Sequence, residues 1–233
     1  MSQILFFLTE KDFLNLETVL SSENNILIIL SFHVKYCHYQ KISIITWKFH
    51  DTYIYKLNKV HAFTGAAVYG NIKVMRYLIL QGLTLADVRT NDNEVLKRVS
   101  TNDQLEVVKY LISLGLNIKD IRTDNNTALR MASFNGHLEV VKYLIAQGLT
   151  LDDIRAENNY ALTSASQNGH LEVVKYLIAQ GLTLYDIRFN NNHSLKRSII
   201  SGHLEIVKHL IAQGLSLDDI RLDVPAVMVI SKW

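Results

Sequence analysis

Cysteine is almost absent from this chain of 233 residues, Cys37 being the only one. That excludes an intramolecular disulfide framework and any zinc site built on cysteine. Proline is just as scarce, with Pro225 alone, so few turns are fixed by a pyrrolidine ring and long helical stretches are expected. Neither sign of charge is in excess. Lys and Arg number 24 against 22 Asp and Glu, a net charge of +2, which favours neither a nucleic-acid coat nor a strongly acidic ligand for the chain as a whole. No stretch approaches the ~18 uninterrupted apolar residues of a membrane span, so no membrane role is expected. The opening MSQILFFLTEKD lacks the basic n-region of a secretory signal, and an intracellular protein is the simplest expectation. What the chain does have is apolar material: 48% of residues, with 20% charged, enough for a sizeable core.

Glycine is also modest in number, and its placement is the decisive feature. Of ten glycines, all but Gly65 fall into two series. Gly82, Gly115, Gly148, Gly181 and Gly214 recur every 33 residues, and Gly70, Gly136, Gly169 and Gly202 keep the same register with Asp103 in the one gap. Arg89, Arg122, Arg155, Arg188 and Arg221 repeat with them, as do Asp87, Asp120, Asp153, Asp186 and Asp219. A fixed period without insertions is the signature of a solenoid of stacked units.

Each unit reads as two helices. Leu138, Val141, Leu144 and Ile145 form an apolar stripe at helical spacing after Asn135-Gly136-His137, and Gly148 sits where a helix ends. Ala128, Leu129, Ala132 and Ser133 mark a shorter, small-residue helix before it. The spacing predicts long helices near 71–81, 104–114, 137–147, 170–180 and 203–213, with short ones near 60–69, 93–101, 126–134, 159–167 and 192–200. Asn93, Asn126, Asn159 and Asn192 stand where N-caps of the short helices are expected. Thr84, Asn117, Thr150, Thr183 and Ser216 each precede an Asp by three residues, a capping pattern that predicts a short third helix in the connecting segment rather than a β-hairpin.

The run GHLEVVKYLIAQG after an Ala-Leu-containing short helix, at period 33, resembles the ankyrin repeat over roughly residues 58–233. The resemblance implies an all-α ankyrin-repeat solenoid of paired antiparallel helices. The expected organisation is a divergent N-terminal cap region over 1–57, repeats at 58–90, 91–123, 124–156, 157–189 and 190–222, and a truncated repeat over 223–233. NGHLEVVKYLI and IRAENNYAL resemble the repeats of large families in giant DNA viruses of amoebae. The family's Thr-Pro-Leu-His start is absent: the chain has Thr127-Ala128-Leu129-Arg130 and Tyr160-Ala161-Leu162-Thr163 there, so the threonine–histidine network is not expected. Its turn glycine is replaced by Asn125, Asn158 and Asn191, residues that tolerate a left-handed backbone at some cost. The first unit has Val60 at the Asn position and Lys73 in place of Glu, as in a degraded end repeat.

Residues 1–57 do not keep the period. Lys11 to Leu20 fits an amphipathic helix, and Ile26–Phe32, Ile42–Phe49 and Thr52–Leu57 suit strands or a buried degenerate repeat that covers the open end of the stack. Between residues 31 and 61, Lys35, Lys41, Lys48, Lys56 and Lys59 face only Asp51, interleaved with Tyr36, Tyr39, Trp47, Phe49, Tyr53 and Tyr55. Such a segment can bind single-stranded nucleic acid, but the core and wet face of a small cap explain it more simply.

The repeated charges read as structural. His137, His170 and His203 occupy equivalent positions about 8–10 Å apart, too far for one metal, and a bond to the local turn is expected. Each repeat Arg has an Asp two residues away that nearly cancels it, and Glu–Lys pairs at i,i+3 recur. No phosphate loop, nucleophile elbow or metalloprotease motif occurs. No catalytic, cofactor or metal residue is assigned. The function expected is a non-catalytic protein–protein interaction scaffold, monomeric, of viral origin and working in host-cell cytoplasm on a host or viral protein. The alternative is a nucleic-acid-binding or structural virion component using the basic aromatic N-terminal segment. Partner contacts are assigned to positions that vary between units: Glu94, Thr127, Tyr160 and His193 at the short-helix start, Lys119, Asp152 and Tyr185 in the connector, and Phe189 in the turn after it, with Tyr160, Tyr185 and Phe189 as anchors.

Overall fold

The computed structural model describes residues 59–215 and 219. The helix expected at Lys11–Leu20, the apolar runs up to Leu57, the lysine-rich segment except Lys59, and the truncated unit from Pro225 lie outside them. Among the described residues there are thirteen helices and no strand, and no helix is long and apolar enough to cross a membrane. The chain divides between Val88 and Arg89 into two compact units, taken in turn.

The first unit contributes α1 (Lys59–Val68), α2 (Ile72–Leu80) and α3 (Leu85–Val88). Ala62, Phe63, Ala66 and Ala67 of α1 and Val74, Met75, Tyr77 and Leu78 of α2 are buried. Asn71 caps α2 by accepting from the Val74 N–H at 3.2 Å. Lys59 Nζ donates to the Gln81 carbonyl at the far end of α2, 2.6 Å away, so a cation meets the negative end of that helix.

The second unit repeats one pattern. Its short helices are α4 (Thr90–Thr101), α7 (Thr123–Phe134), α10 (Ala156–Gln167) and the later part of α12 (Leu184–Ile200). The long ones are α5 (Leu105–Ser113), α8 (Leu138–Ala146), α11 (Leu171–Ala179) and α13 (Leu204–Ala212). Between them, α6 (Ile118–Ile121), α9 (Leu151–Ile154) and the first turns of α12 are the third helices that the capping pattern calls for. The capping box is complete at Asn117/Asp120, Thr150/Asp153 and Thr183/Asp186.

Short helices pack on short helices and long on long along the unit. Leu96, Leu129, Leu162 and Leu195 recur at the centre, each no more than 1% exposed, and the flanking Ala and Ser let the backbones approach. Burying one such leucine contributes about 1.5–3 kcal/mol. On α8 the buried stripe is Val140, Val141, Leu144 and Ile145. The long helices end in a left-handed residue such as Gly148, φ +101; at Gly115 the next residue, Leu116, returns its N–H to Leu111 and buries its side chain, closing the turn.

One expectation needs correcting. Asn93, Asn126, Asn159 and Asn192 are not N-caps. Each is the last of three consecutive left-handed residues, 91–93, 124–126, 157–159 and 190–192, with φ between +51 and +59. A left-handed turn costs about 1–2 kcal/mol per ordinary residue, least for Asn and Asp. Eleven of these twelve residues are Asn or Asp, Glu157 being the exception, which is why the segment is written in asparagine. Asn125, Asn158 and Asn191 adopt the left-handed backbone expected of them.

Candidate functional site

Two ladders of polar contacts hold the repeats of the second unit in register. The first is built from arginine and aspartate. Arg122 grips Asp153, 31 residues on, through Nε at 2.9 Å and Nη2 at 2.8 Å; Arg89–Asp120 and Arg155–Asp186 do the same, and Arg188 reaches Asp219 through Nη2 at 2.9 Å. The arginine therefore pairs with the next repeat, not with the Asp two residues before it as the sequence suggests. That nearer carboxylate is taken by the preceding arginine. Burial pushes the Asp153 carboxyl up, but bonds from Arg122, the Thr150 N–H and hydroxyl, and Asn126 outweigh it and bring it to about 2. Asn126, Asn159 and Asn192 donate Nδ2 to the carbonyl of Asp153, Asp186 and Asp219, and this inter-repeat bond is the task that replaces capping.

The second ladder is histidine. His137 Nε2 lies 2.9 Å from the Thr101 carbonyl, His170 Nε2 2.9 Å from Phe134 and His203 Nε2 2.9 Å from Gln167. The expected bond to the local turn is thus a bond to the previous repeat, across 36 residues, at the end of its short helix. Because a carbonyl only accepts, Nε2 carries the proton. Among the described residues no group of three His, Cys, Asp or Glu side chains converges as metal ligands.

The variable positions stand outside these ladders. Lys119 and Asp152 are exposed on their short connecting helices, and Asp152 meets Arg155 at 3.4 Å. Tyr185 is 75% exposed in the first turn of α12, and Phe189, half-buried, follows one turn later where the backbone is extended, φ −54, ψ 142. Glu94, Thr127, Tyr160 and His193 are half-buried at the start of the four short helices. Glu94 holds Arg98 at 2.6 Å. Thr127 donates to Asp124 and accepts from Arg130, and the Arg130 guanidinium lies 5.4 Å from the Tyr160 ring centre, a cation–π contact across repeats. Tyr160 thus faces the preceding repeat, whereas Tyr185 points from the connector to solvent.

A family model described as ankyrin repeats, in three copies, matches residues 63–155 and 149–220. That is well over half of the sequence. The chain belongs to the ankyrin-repeat family. No curated protein matches it. Ankyrin repeats serve as protein–protein interaction modules and are in general non-catalytic. This ankyrin chain lacks the family's Thr-Pro-Leu-His start, and its repeats are linked by the Arg–Asp and His–carbonyl ladders.

Sequence reasoning passed over the cations of the short helices, Lys97, Arg98, Arg130, Lys196 and Arg197. They sit one turn after the variable starts, and all but the exposed Arg98 are half-buried, as Glu94, Thr127 and His193 are. The signal was available: the column Lys97, Arg130, Thr163, Lys196 varies between units as the chosen columns do.

Proposed function

We propose that the protein is a non-catalytic ankyrin scaffold whose short-helix starts and connectors bind one protein partner, in a host cell's cytoplasm and on behalf of a virus. The observation that carries the binding reading is the division of labour within each repeat. Arg, Asp, His and Asn at fixed positions are consumed in contacts between repeats, while Lys119, Asp152 and Tyr185 change character at one exposed position of the same scaffold. Surface that stacking does not use and that varies from unit to unit is free to be selected for a partner. The viral origin, the host target and the compartment rest on the resemblance of NGHLEVVKYLI and IRAENNYAL alone.

The test is affinity capture with the intact chain. Alanine at Tyr160, Tyr185 and Phe189 together should abolish capture of a partner while the helical signal and melting temperature stay nearly unchanged. Capture that survives the triple change removes these anchors. Salt-steep binding of single-stranded nucleic acid by the intact chain, lost on replacing Lys35, Lys41 and Lys48, would install the alternative reading instead.

A further inference from the structure

The cations that hold the second unit together are matched by carboxylates. Arg122 and Arg155 close on Asp153 and Asp186, and Lys109, Lys142 and Lys175 each meet a Glu three residues earlier at 2.7–2.8 Å. On the short helix α4, Lys97 meets Asp124 at 3.1 Å and Arg98 meets Glu94 at 2.6 Å. Arg130 of α7 stands at the register of Lys97 one repeat later, and it is held in another way.

Its partners belong to the left-handed turn at the start of α7. Arg130 Nε donates to the Asn125 carbonyl at 3.0 Å, and Nη2 donates to the Asp124 carbonyl at 3.1 Å and to Thr127 Oγ1 at 2.7 Å. From the next repeat, the Tyr160 ring centre lies 5.4 Å from the guanidinium carbon, close enough for a cation–π contact. All three acceptors are neutral oxygens, so the charge is oriented without being matched. Three of the five guanidinium N–H groups are used. The remaining two are on Nη1, which has no acceptor among the described residues and is not closed off from solvent. The registers on either side do not compete for it: Lys97 is engaged by Asp124, and Thr163, one repeat on, is uncharged and shares a hydrogen bond with Ser194 at 3.1 Å. The exposed Glu157 accepts from Asn125 and makes no bond to Arg130.

We propose that Arg130 receives, through Nη1, one carboxylate oxygen of an Asp or Glu side chain of the partner protein, with Tyr160 as the positioning residue that holds the guanidinium plane. This rests on the reading of the protein as an interaction scaffold and names the group that the partner presents. The side chain is ordered before binding, so the contact does not have to meet the entropy of fixing a long arginine. Because Nε and Nη2 are taken, the two-pronged fork on that side of the guanidinium is closed, and Nη1 offers a single charge-assisted bond. A polyanion such as nucleic acid fits less well, because its continuing charges must also pass the exposed Asp124 and Glu157, which one side chain need not do.

The Arg130 Nε–H resonance of the intact chain, assigned by its loss in Arg130→Lys, can be followed while three probes are added: a blocked Gly-Glu-Gly peptide, its Gly-Gln-Gly counterpart, and oligo-dT. The glutamate peptide should shift it at low salt, less so as salt rises, and the glutamine peptide should not. Arg130→Lys keeps the charge but cannot make the three orienting bonds, and should weaken the glutamate peptide about tenfold. Glu157→Gln, which removes a repelling charge, should tighten it about twofold, and Arg98→Gln should change it by less than about twofold. Tyr160→Phe keeps the ring and should bind as the unaltered chain does, whereas Tyr160→Leu should weaken binding and move the Arg130 resonance even without peptide. An equal response to the two peptides overturns the proposal, as does undiminished binding by Arg130→Lys. A shift by oligo-dT at lower concentration than by the glutamate peptide replaces the carboxylate by nucleic acid. The unaltered chain's response decides the matter even where a variant loses its helical signal. Partner capture that depends on Tyr185 and Phe189 but survives Arg130→Gln overturns this inference and leaves the scaffold reading standing.

Discussion

The junction between the second and third repeats differs from the two that follow it at its left-handed position. At the later junctions the left-handed position is glycine, and the next repeat's imidazole lies against it: a Cβ on Gly136 would be 2.4 Å from His170 Nδ1, and one on Gly169 would be 2.7 Å from His203 Cε1. At the earlier junction Asp103 holds the same left-handed backbone, φ +55, with a side chain present. There His137 Nδ1 stands 3.6 Å from the Asp103 carboxylate. Yet the bond from Nε2 to the preceding carbonyl is 2.9 Å at all three. The bond between repeats is the constant. Glycine at 136 and 169 makes room for a neighbour's ring as well as for a turn, and an acid that engages the ring is a second solution.

The substitution that should break this comparison most severely is Gly136→Ala. A methyl group there meets positive φ and the His170 ring together. Left-handed strain of about 1 kcal/mol adds to overpacking of about 1–3 kcal/mol, so a loss of about 2–4 kcal/mol is expected. The denaturant midpoint would fall at unchanged slope. A loss below about 0.5 kcal/mol would show that the ring is not held where the glycine needs it. Next in size is His170→Ala, which strips the Phe134 carbonyl of its donor and should cost about 1–3 kcal/mol, read from the same midpoint. If His137→Ala costs as much, the two kinds of junction are equivalent in strength and differ only in their fit.

The ladders should also separate by pH. Burial, and then the neighbouring His137 and His203 charges, hold the His170 imidazole below its ordinary value in spite of the Phe134 carbonyl. The unfolded chain therefore takes up that proton more readily than the fold does. Stability from this group is complete above its unfolded value near 6.5 and declines as pH falls through it. His170→Gln should flatten the dependence of the midpoint between about pH 7 and 5; an unchanged slope would place the effect elsewhere, at His193 or His209, which are held down as well. The aspartate ladder acts in a lower window. With Asp153 brought to about 2, its contribution is present above the ordinary carboxylate value and is lost as pH falls from about 4 toward 2. Asp153→Asn should remove a step in that window and none near pH 6.

The period carried most of the fold. Long helices predicted at 137–147 and 170–180 run over Leu138–Ala146 and Leu171–Ala179, because the stripe, the Asn-Gly turn and the terminal glycine each mark a local event. The third helices were readable for the same reason, since Thr150 and Asp153 are three residues apart in sequence and in the cap. What could not be read was the partner of each conserved-looking polar residue within the repeat. Arg122, Asn126 and His170 contact atoms 31, 27 and 36 residues away. A sequence that repeats every 33 residues gives no sign of whether Arg122 meets Asp120 or Asp153, because both stand at the same place in their units. The left-handed turn was half legible: asparagine announced one such residue, but three in succession follow only from the backbone the stack imposes. The exposed columns could be found by comparing units, whereas the bond from Arg197 to His193 depends on a side-chain geometry that spacing alone does not give.

The smallest effect expected is also the one that sharpens the comparison most. Asp103→Gly converts the first junction into a copy of the other two. Removing the Cβ relieves left-handed strain of up to about 1 kcal/mol. Against this stand the greater entropy of glycine in the unfolded chain, about 0.4–1 kcal/mol, and the loss of the His137 contact, worth about 0–1 kcal/mol for a carboxylate that is 61% exposed. The terms nearly cancel, so a change within about 0.5 kcal/mol of zero is expected in moderate salt. Salt then tells the contributions apart. Screening weakens a charged contact and leaves backbone strain untouched, so the balance should move toward the variant as ionic strength rises, while Gly136→Ala stays equally destabilising throughout. A difference between Asp103 and glycine that ignores salt would mean that the carboxylate does not engage the imidazole, and that the first junction merely tolerates a residue the others exclude.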